Sequence, residues 1–295
     1  VTGIHLVAYV MTMPADWHLS PVAVVALVVA LLNERGRRTL AKRQGATLRR
    51  ATLRRSILLD VGLVALALLA SGPTEKWAMQ SLLVHMVVHV FDMFFLPPLL
   101  VAGAPLVPLW FAFGVTRRRR LLRWYYVSPT GKLLGGVVRK LTSPLVSVVL
   151  FNATMIFWHI SAVFNWASWN EWVMDWLMTP SFIIVGVLFW RIILSSYPRR
   201  PKATPAFQVA AVVATAFEML VLAIAMGVMT KVAWYSMPVD MYGPVTAFHQ
   251  QRLGAGVLWI CGDFWVAPAL VLIGYRVFKR GEPTGLKLDA MVLGR

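Results

Sequence analysis

A single cysteine, Cys261, stands among the 295 residues, which excludes an internal disulfide framework. Charge is scarce as well: Asp, Glu, Lys and Arg make up 14% of the chain, where soluble domains carry about 25%. Acidic residues are the rarer kind, 12 against 29 Lys and Arg, so the formal net charge is +17. No H-E-x-x-H run occurs, and six histidines are too few for the histidine boxes of a membrane di-iron desaturase. Neither a low-complexity tract nor an obvious internal repeat is present. Val1–Pro14 lacks the basic n-region of a removable signal peptide, so none is expected.

Apolar residues fill the space these absences leave. The chain is 59% hydrophobic, with a mean hydropathy of +0.69. A soluble core of this size cannot hide so many uncharged runs of some twenty residues, whereas a bilayer needs ~20 apolar residues for each crossing helix. The expected fold is all-α, a polytopic membrane bundle of about seven transmembrane helices. The spans fall near 18–34, 56–72, 77–100, 144–167, 172–195, 206–230 and 250–277. Leu99–Gly114 is apolar but short and is broken by Pro105 and Pro108, so it is expected to be re-entrant or interfacial. The implied organisation is an outer N-terminal segment over 1–17, a transmembrane domain over 18–280 and a cytoplasmic tail over 281–295.

The positive charge is unevenly spread. Of the 29 Lys and Arg, all but Lys76, Lys231 and Arg252 lie on alternate loops, on the inner end of the fifth span, or on the tail. Positive residues stay in the cytoplasm, so the N-terminus is expected outside and the C-terminus inside. The basic character then signals orientation and attraction to anionic membrane lipid. Nucleic acid is not an expected partner.

This orientation leaves no histidine on the cytoplasmic side. His85 lies eight residues past Trp77, or ~12 Å below the outer edge, and His89 sits one turn deeper. His159 falls in the outer half of the fourth span and His249 at the mouth of the seventh. Most methionines also lie on the outer side, and imidazole with thioether is a ligand set that suits Cu(I). At 100° per residue His85, His89 and Asp92 fall within about 60° of one another, with Met93 beside them. Asn152, Met155 and His159 share a face of the fourth span, and Met174 and Met178 form an i, i+4 pair on the fifth. Each feature has a plainer account. Intramembrane His, Asp92, Glu218 and Asp263 can bond helix to helix, methionine fills cores, and Trp166–Trp176 suits an outer aromatic belt. His85 and His89 on one helix cannot sandwich a haem, although His89 with His159 can.

Residues 85–105 read HMVVHVFDMFFLPPLLVAGAP. This resembles the signature of the CtaG-type cytochrome c oxidase assembly factors, whose third helix runs H-M-x-x-H and ends in P-P-L-L-x-x-G-x-P. Gln250–Gly262 resembles the family's D-Q-x-L-x-G-x-x-x-W-x-x-G stretch, and Phe157-Trp158-His159 and Leu188-Phe189-Trp190 fall at similar spacings. Together these cover most of 77–265. The resemblance implies a seven-span bacterial plasma-membrane protein that delivers or retains copper for the oxidase, with cytochrome c oxidase subunits and a periplasmic copper donor as partners. It assigns metal roles to His85, His89 and His159. Met174 and Met178 stand where the family often has a His-x-x-x-His-like pair, and Gln250 stands for the family Asp, with His249 beside it. The candidate copper ligands are therefore His85, His89, His159, Met86, Met174, Met178, Asp92 and His249. Cu(I) would arrive near His249, Met237 and Met241 and leave by ligand exchange, with no turnover chemistry. Two alternatives stay open: a metal-free accessory subunit of a respiratory complex, and a seven-span zinc hydrolase with three histidines, an Asp and an activated water.

Overall fold

The structure, a computed structural model, describes residues 20–194, 203–236, 240 and 243–292. Among these residues every regular element is helical and none is a strand, as an all-α membrane bundle requires. The expected outer segment over 1–17 lies outside the described residues, as do His18, Met237 and Met241.

The helices are α1 (Pro21–Ala41), α2 (Ala46–Leu69), α3 (Pro73–Gln80), α4 (Leu82–Ala102), α5 (Leu106–Ala112) and α6 (Val115–Val127). They continue with α7 (Pro129–Leu141), α8 (Pro144–His159), α9 (Ser161–Ser168), α10 (Glu171–Ile193), α11 (Pro205–Met229) and α12 (Pro244–Val292). Four of them begin at a hydroxyl residue followed by proline: Ser20-Pro21, Ser128-Pro129, Ser143-Pro144 and Thr204-Pro205. The hydroxyl can accept an unpaired N–H of the first turn, and proline has no N–H to leave unpaired. Ser20 accepts from the Ala23 amide at 3.1 Å, Ser128 from Gly131 at 3.0 Å and Thr204 from Phe207 at 3.2 Å.

Among the described residues, four helices are long and apolar enough to cross a membrane: α4, α10, α11 and the Pro244–Lys279 part of α12. The pair α7–α8, bent by 73°, adds a fifth if it counts as one span. This is fewer than the seven expected. The physical reason is that α1 and α2, of 21 and 24 residues, carry charge within the helix: Glu34, Arg35, Arg37 and Arg38 in the second half of α1, and Arg49, Arg50, Arg54, Arg55 and Asp60 through the first two-thirds of α2. Both still expose apolar side chains, including Val25, Leu31, Val61 and Val64. Boundaries differ too. The third expected span breaks at Ser81, where the backbone is extended (φ −139°, ψ 117°), and the fourth breaks at Ile160 (φ −63°, ψ 122°). The last helix starts earlier than expected, at Pro244, and continues to Val292.

α4 occupies the centre, packed against α2, α3, α10 and α12. Its Met86, Met93 and Phe94 join the main core with side chains of α8, α10, α11 and α12, while Leu96 belongs to a second cluster with α1 and α2. Phe94 stacks on Trp265 at 4.8 Å, and Phe151 on Phe189 at 4.5 Å. Between α10 and α4 the approach is so close that a Cβ on Gly186 would lie 2.5 Å from the Pro97 ring and 2.9 Å from the Met93 carbonyl oxygen. Gly36 of α1 meets the Pro108 backbone of α5 in the same way. Trp166, Trp169, Trp172 and Trp176 are all exposed around the α9–α10 turn, as an interfacial belt requires.

Three helices also contain one π turn each: Phe91–Phe95 in α4, Met174–Met178 in α10 and Ala225–Met229 in α11. Such turns recur at functional sites. The first two border the cavity described next.

Candidate metal site

The break at Ser81 leaves the first N–H groups of α4 without partners inside the helix. Gln250 of α12 supplies one: its Oε1 accepts from the Leu82 amide at 2.8 Å and from the Ser81 hydroxyl at 3.2 Å. That bond fixes the start of the helix one turn before His85. The next residue, Gln251, bridges elsewhere, accepting from the Trp234 amide at 2.6 Å and donating to the Met226 carbonyl at 2.9 Å. Two adjacent side chains thus tie α12 to α4 and to the segment between α11 and α12. That segment is also held by Asn165, whose Oδ1 accepts from the Ser236 amide at 2.9 Å, and by Ser161, which donates to the Trp234 carbonyl.

Below this clamp lies a cavity of ≈ 30 Å³, the size of one or two water-sized occupants. α4 contributes His85, His89 and Asp92, and α10 contributes Met174, Asp175 and Thr179. Ser20 at the head of α1, the end of α2 and Ala78 of α3 complete the wall. The His85 and His89 imidazoles stack, with centroids 4.1 Å apart and planes 22° from parallel. Phe164 stands edge-on to His85 at 5.0 Å, and Phe182 edge-on to His89 at 4.6 Å. Both histidines and Asp92 are buried. Neither ring nitrogen of His85 has a hydrogen-bond partner, nor has Asp92 Oδ1. The Ala78 carbonyl lies near the His85 ring without meeting hydrogen-bond geometry. An unpaired buried polar group costs about 1–3 kcal/mol, so a cluster of them around a hole is an arrangement that a cation would relieve. Two imidazoles with a thioether at the wall fit Cu(I).

The other candidates are placed differently. Met86 packs against Gly254 of α12, and Met178 is fully buried in the core. His159 is buried, with Nδ1 2.7 Å from the Met155 carbonyl oxygen and Nε2 unpartnered. It borders a separate crevice with Ser161, Leu222 and Trp234 and does not line the His85–His89 cavity. His249 is exposed. Among the described residues no three His, Cys, Asp or Glu side chains converge on one point. Tyr235, buried in the α11–α12 segment, donates to the His159 carbonyl at 3.2 Å, and burial raises its phenol above the ordinary range.

Residues 34–280 match the model of a protein family described as cytochrome c oxidase caa3 assembly factor. The chain belongs to this family. No curated protein and no solved structure matches it. Membership puts this assembly factor in the making of cytochrome c oxidase, with the oxidase as its partner. The matched region holds every cavity residue except Ser20 and Val22, which close the cavity from outside it.

The assembly factor's Gln250 has a role that the sequence concealed. It caps α4 through the Leu82 amide and the Ser81 hydroxyl. Only the acceptor oxygen is used, since Gln250 Nε2 is buried without a partner. Replacing Gln250 by Ala strands the Leu82 amide and the Ser81 hydroxyl. The expected cost is about 1–3 kcal/mol, read as a lower thermal midpoint in detergent with the overall helix content kept. An unchanged midpoint would remove the capping role.

Proposed function

We propose that this assembly factor carries copper. It holds Cu(I) between His85, His89 and Met174, with the Asp92 carboxylate alongside, and passes the ion to a subunit of the oxidase. The observation that carries this proposal is the stacked His85–His89 pair, buried and with His85 unbonded, on a cavity of ≈ 30 Å³. The ion is cargo, so graded affinity is sufficient and no turnover chemistry is needed. A periplasmic donor would deliver it at the outer mouth, where His249 is exposed. Met86, Met178 and His159 do not line this cavity, and serving ligand exchange would require them to move toward it. Asp92 balances the positive charge in surroundings where a lone charge is costly.

The same proposal includes seven spans, with α1 and α2 counted, in a bacterial plasma membrane. The N-terminus lies outside and the C-terminus in the cytoplasm. The one-sided distribution of Lys and Arg supports this orientation.

One observation favours a second reading, a metal-free accessory subunit: three acidic, His or Cys ligands do not converge among the described residues. The same observation weighs against a zinc hydrolase, because catalytic zinc takes three protein ligands. Copper, zinc and iron analysis of the purified chain after reconstitution with Cu(I) separates the three. About one copper per chain is the expected result. Bound zinc with lipid turnover would favour the hydrolase, and no metal of any kind would favour the accessory subunit.

A further inference from the structure

The loop joining the third and fourth expected spans is not irregular. It folds as the helical hairpin α6–α7, turned at Ser128, which accepts from the Gly131 amide at 3.0 Å and donates to the Trp124 carbonyl at 2.7 Å. The base of α6 is held to α5 by Arg118, whose guanidinium lies 4.6 Å from the centre of the Phe111 ring. α7 leads into α8 through Thr142 and Ser143.

The hairpin's surface is divided in two ways. On α7, Leu133, Leu134, Val137, Val138 and Leu141 fall within about 140° of arc at 100° per residue, and Lys132 and Arg139 face the opposite way. All five apolar side chains are exposed, Leu133 at 71%. On α6 the division runs along the axis: Arg117 to Arg120 come first, then Leu121, Leu122, Trp124, Tyr126 and Val127, all exposed. No Asp or Glu occurs anywhere from Val115 to Ser143.

The third observation is direction. α7 meets α8 at a bend of 73°. If α8 runs into the bilayer, α7 lies close to its plane, at the depth where α8 begins. An amphipathic helix with a basic polar face in that position lies in the headgroup layer with its apolar face toward the acyl chains.

We propose that the α6–α7 hairpin lies in the surface of an anionic phospholipid leaflet. The apolar face of α7 and the Trp124–Val127 end of α6 enter the acyl boundary, and Arg117, Arg119, Arg120, Arg123, Lys132 and Arg139 engage lipid phosphates. A hairpin so placed fixes the depth and tilt of α8, and through it the height of His159.

The test uses the full chain with Cys261→Ser, reconstituted in nanodiscs containing phosphatidylglycerol and phosphatidylcholine. A nitroxide is attached at Leu133→Cys or, separately, at Lys132→Cys. Leu133 is expected to favour collision with oxygen and Lys132 collision with a water-soluble nickel reagent. Equal access of the nickel reagent to both positions would overturn the proposal, because the hairpin would then stand in water. Shielding of Leu133 from both reagents would overturn it too, because protein, such as a second copy, would then cover the face. Native mass spectrometry of the unlabelled chain in the same lipid mixture tests the charge. Several-fold enrichment of bound phosphatidylglycerol is expected, and it should fall in a variant with R117Q, R119Q, R120Q and R123Q. Equal binding of the two lipids would overturn the anionic preference.

Discussion

His85→Ala combined with His89→Ala is expected to reduce bound copper from about one ion per chain to background and to leave the helices folded. The separation of the two effects follows from the geometry. Neither His85 ring nitrogen has a hydrogen-bond partner, so truncating this side chain breaks no bond that stabilises the bundle. Removing an orphaned polar group even recovers part of its desolvation cost, which offsets some of the packing lost against Phe164. Metal affinity has no such compensation. Changes one shell out from a metal cost about 10–100-fold in affinity, and removing both imidazoles should exceed that. Copper per chain after Cu(I) reconstitution, measured beside the circular dichroism of the same sample, checks both halves. Full copper content in the double variant would show that the ion sits elsewhere. In cells the same variant is expected to lower the fraction of oxidase that acquires its copper.

Gly186→Val is expected to have the largest effect on stability. A Cβ at 186 would lie 2.5 Å from the Pro97 ring and 2.9 Å from the Met93 carbonyl oxygen, and neither group can swing aside as a flexible side chain would. Overpacking ordinarily costs about 1–3 kcal/mol. Here two helix backbones must separate, and α10 carries Met174 and Thr179 away from α4. The thermal midpoint in detergent should fall by several degrees, and copper affinity should fall with it even though no ligand has changed. A stable variant with intact copper binding would show that α10 can slide along α4 without disturbing the cavity.

The site was partly legible because helical spacing is a local property. His85, His89 and Asp92 share a face at i, i+4 and i+7, and all three reach the same cavity. Met174 reaches it as well. Met178, its i+4 partner, is fully buried in the core and does not line the cavity, because which side of α10 meets α4 is set by packing between helices that no residue type marks in advance. Gln250 was legible as a position but not as a role, since the Ser81 break that it caps arises from tertiary packing across 168 residues of chain. Ser20 and Ala78 carried no chemical signal. Their place in the wall depends on how α1 and α3 pack around α4. The basic loop after α5 was legible as charge alone, because its apolar residues become a face only when the hairpin winds it into helices.

The π turn at Phe91–Phe95 also governs how the chain tolerates changes in length. A π turn holds one residue more than the α geometry around it, as the bond from the Leu96 amide back to the Phe91 carbonyl records. Deleting a single residue there would let α4 return to uniform winding, a locally favourable change. Because the extra residue is taken up within the turn, the same deletion would leave the segments on either side close to their present phase, whereas a deletion in the α-helical part of α4 would rotate everything beyond it by about 100°. A deletion at the turn would thus keep His85 and His89 on the cavity and Pro97 and Leu100 against α10 and α2. Length changes within α4 are therefore a question of phase, and single-residue gaps in related chains should gather at this turn and avoid the helix on either side of it.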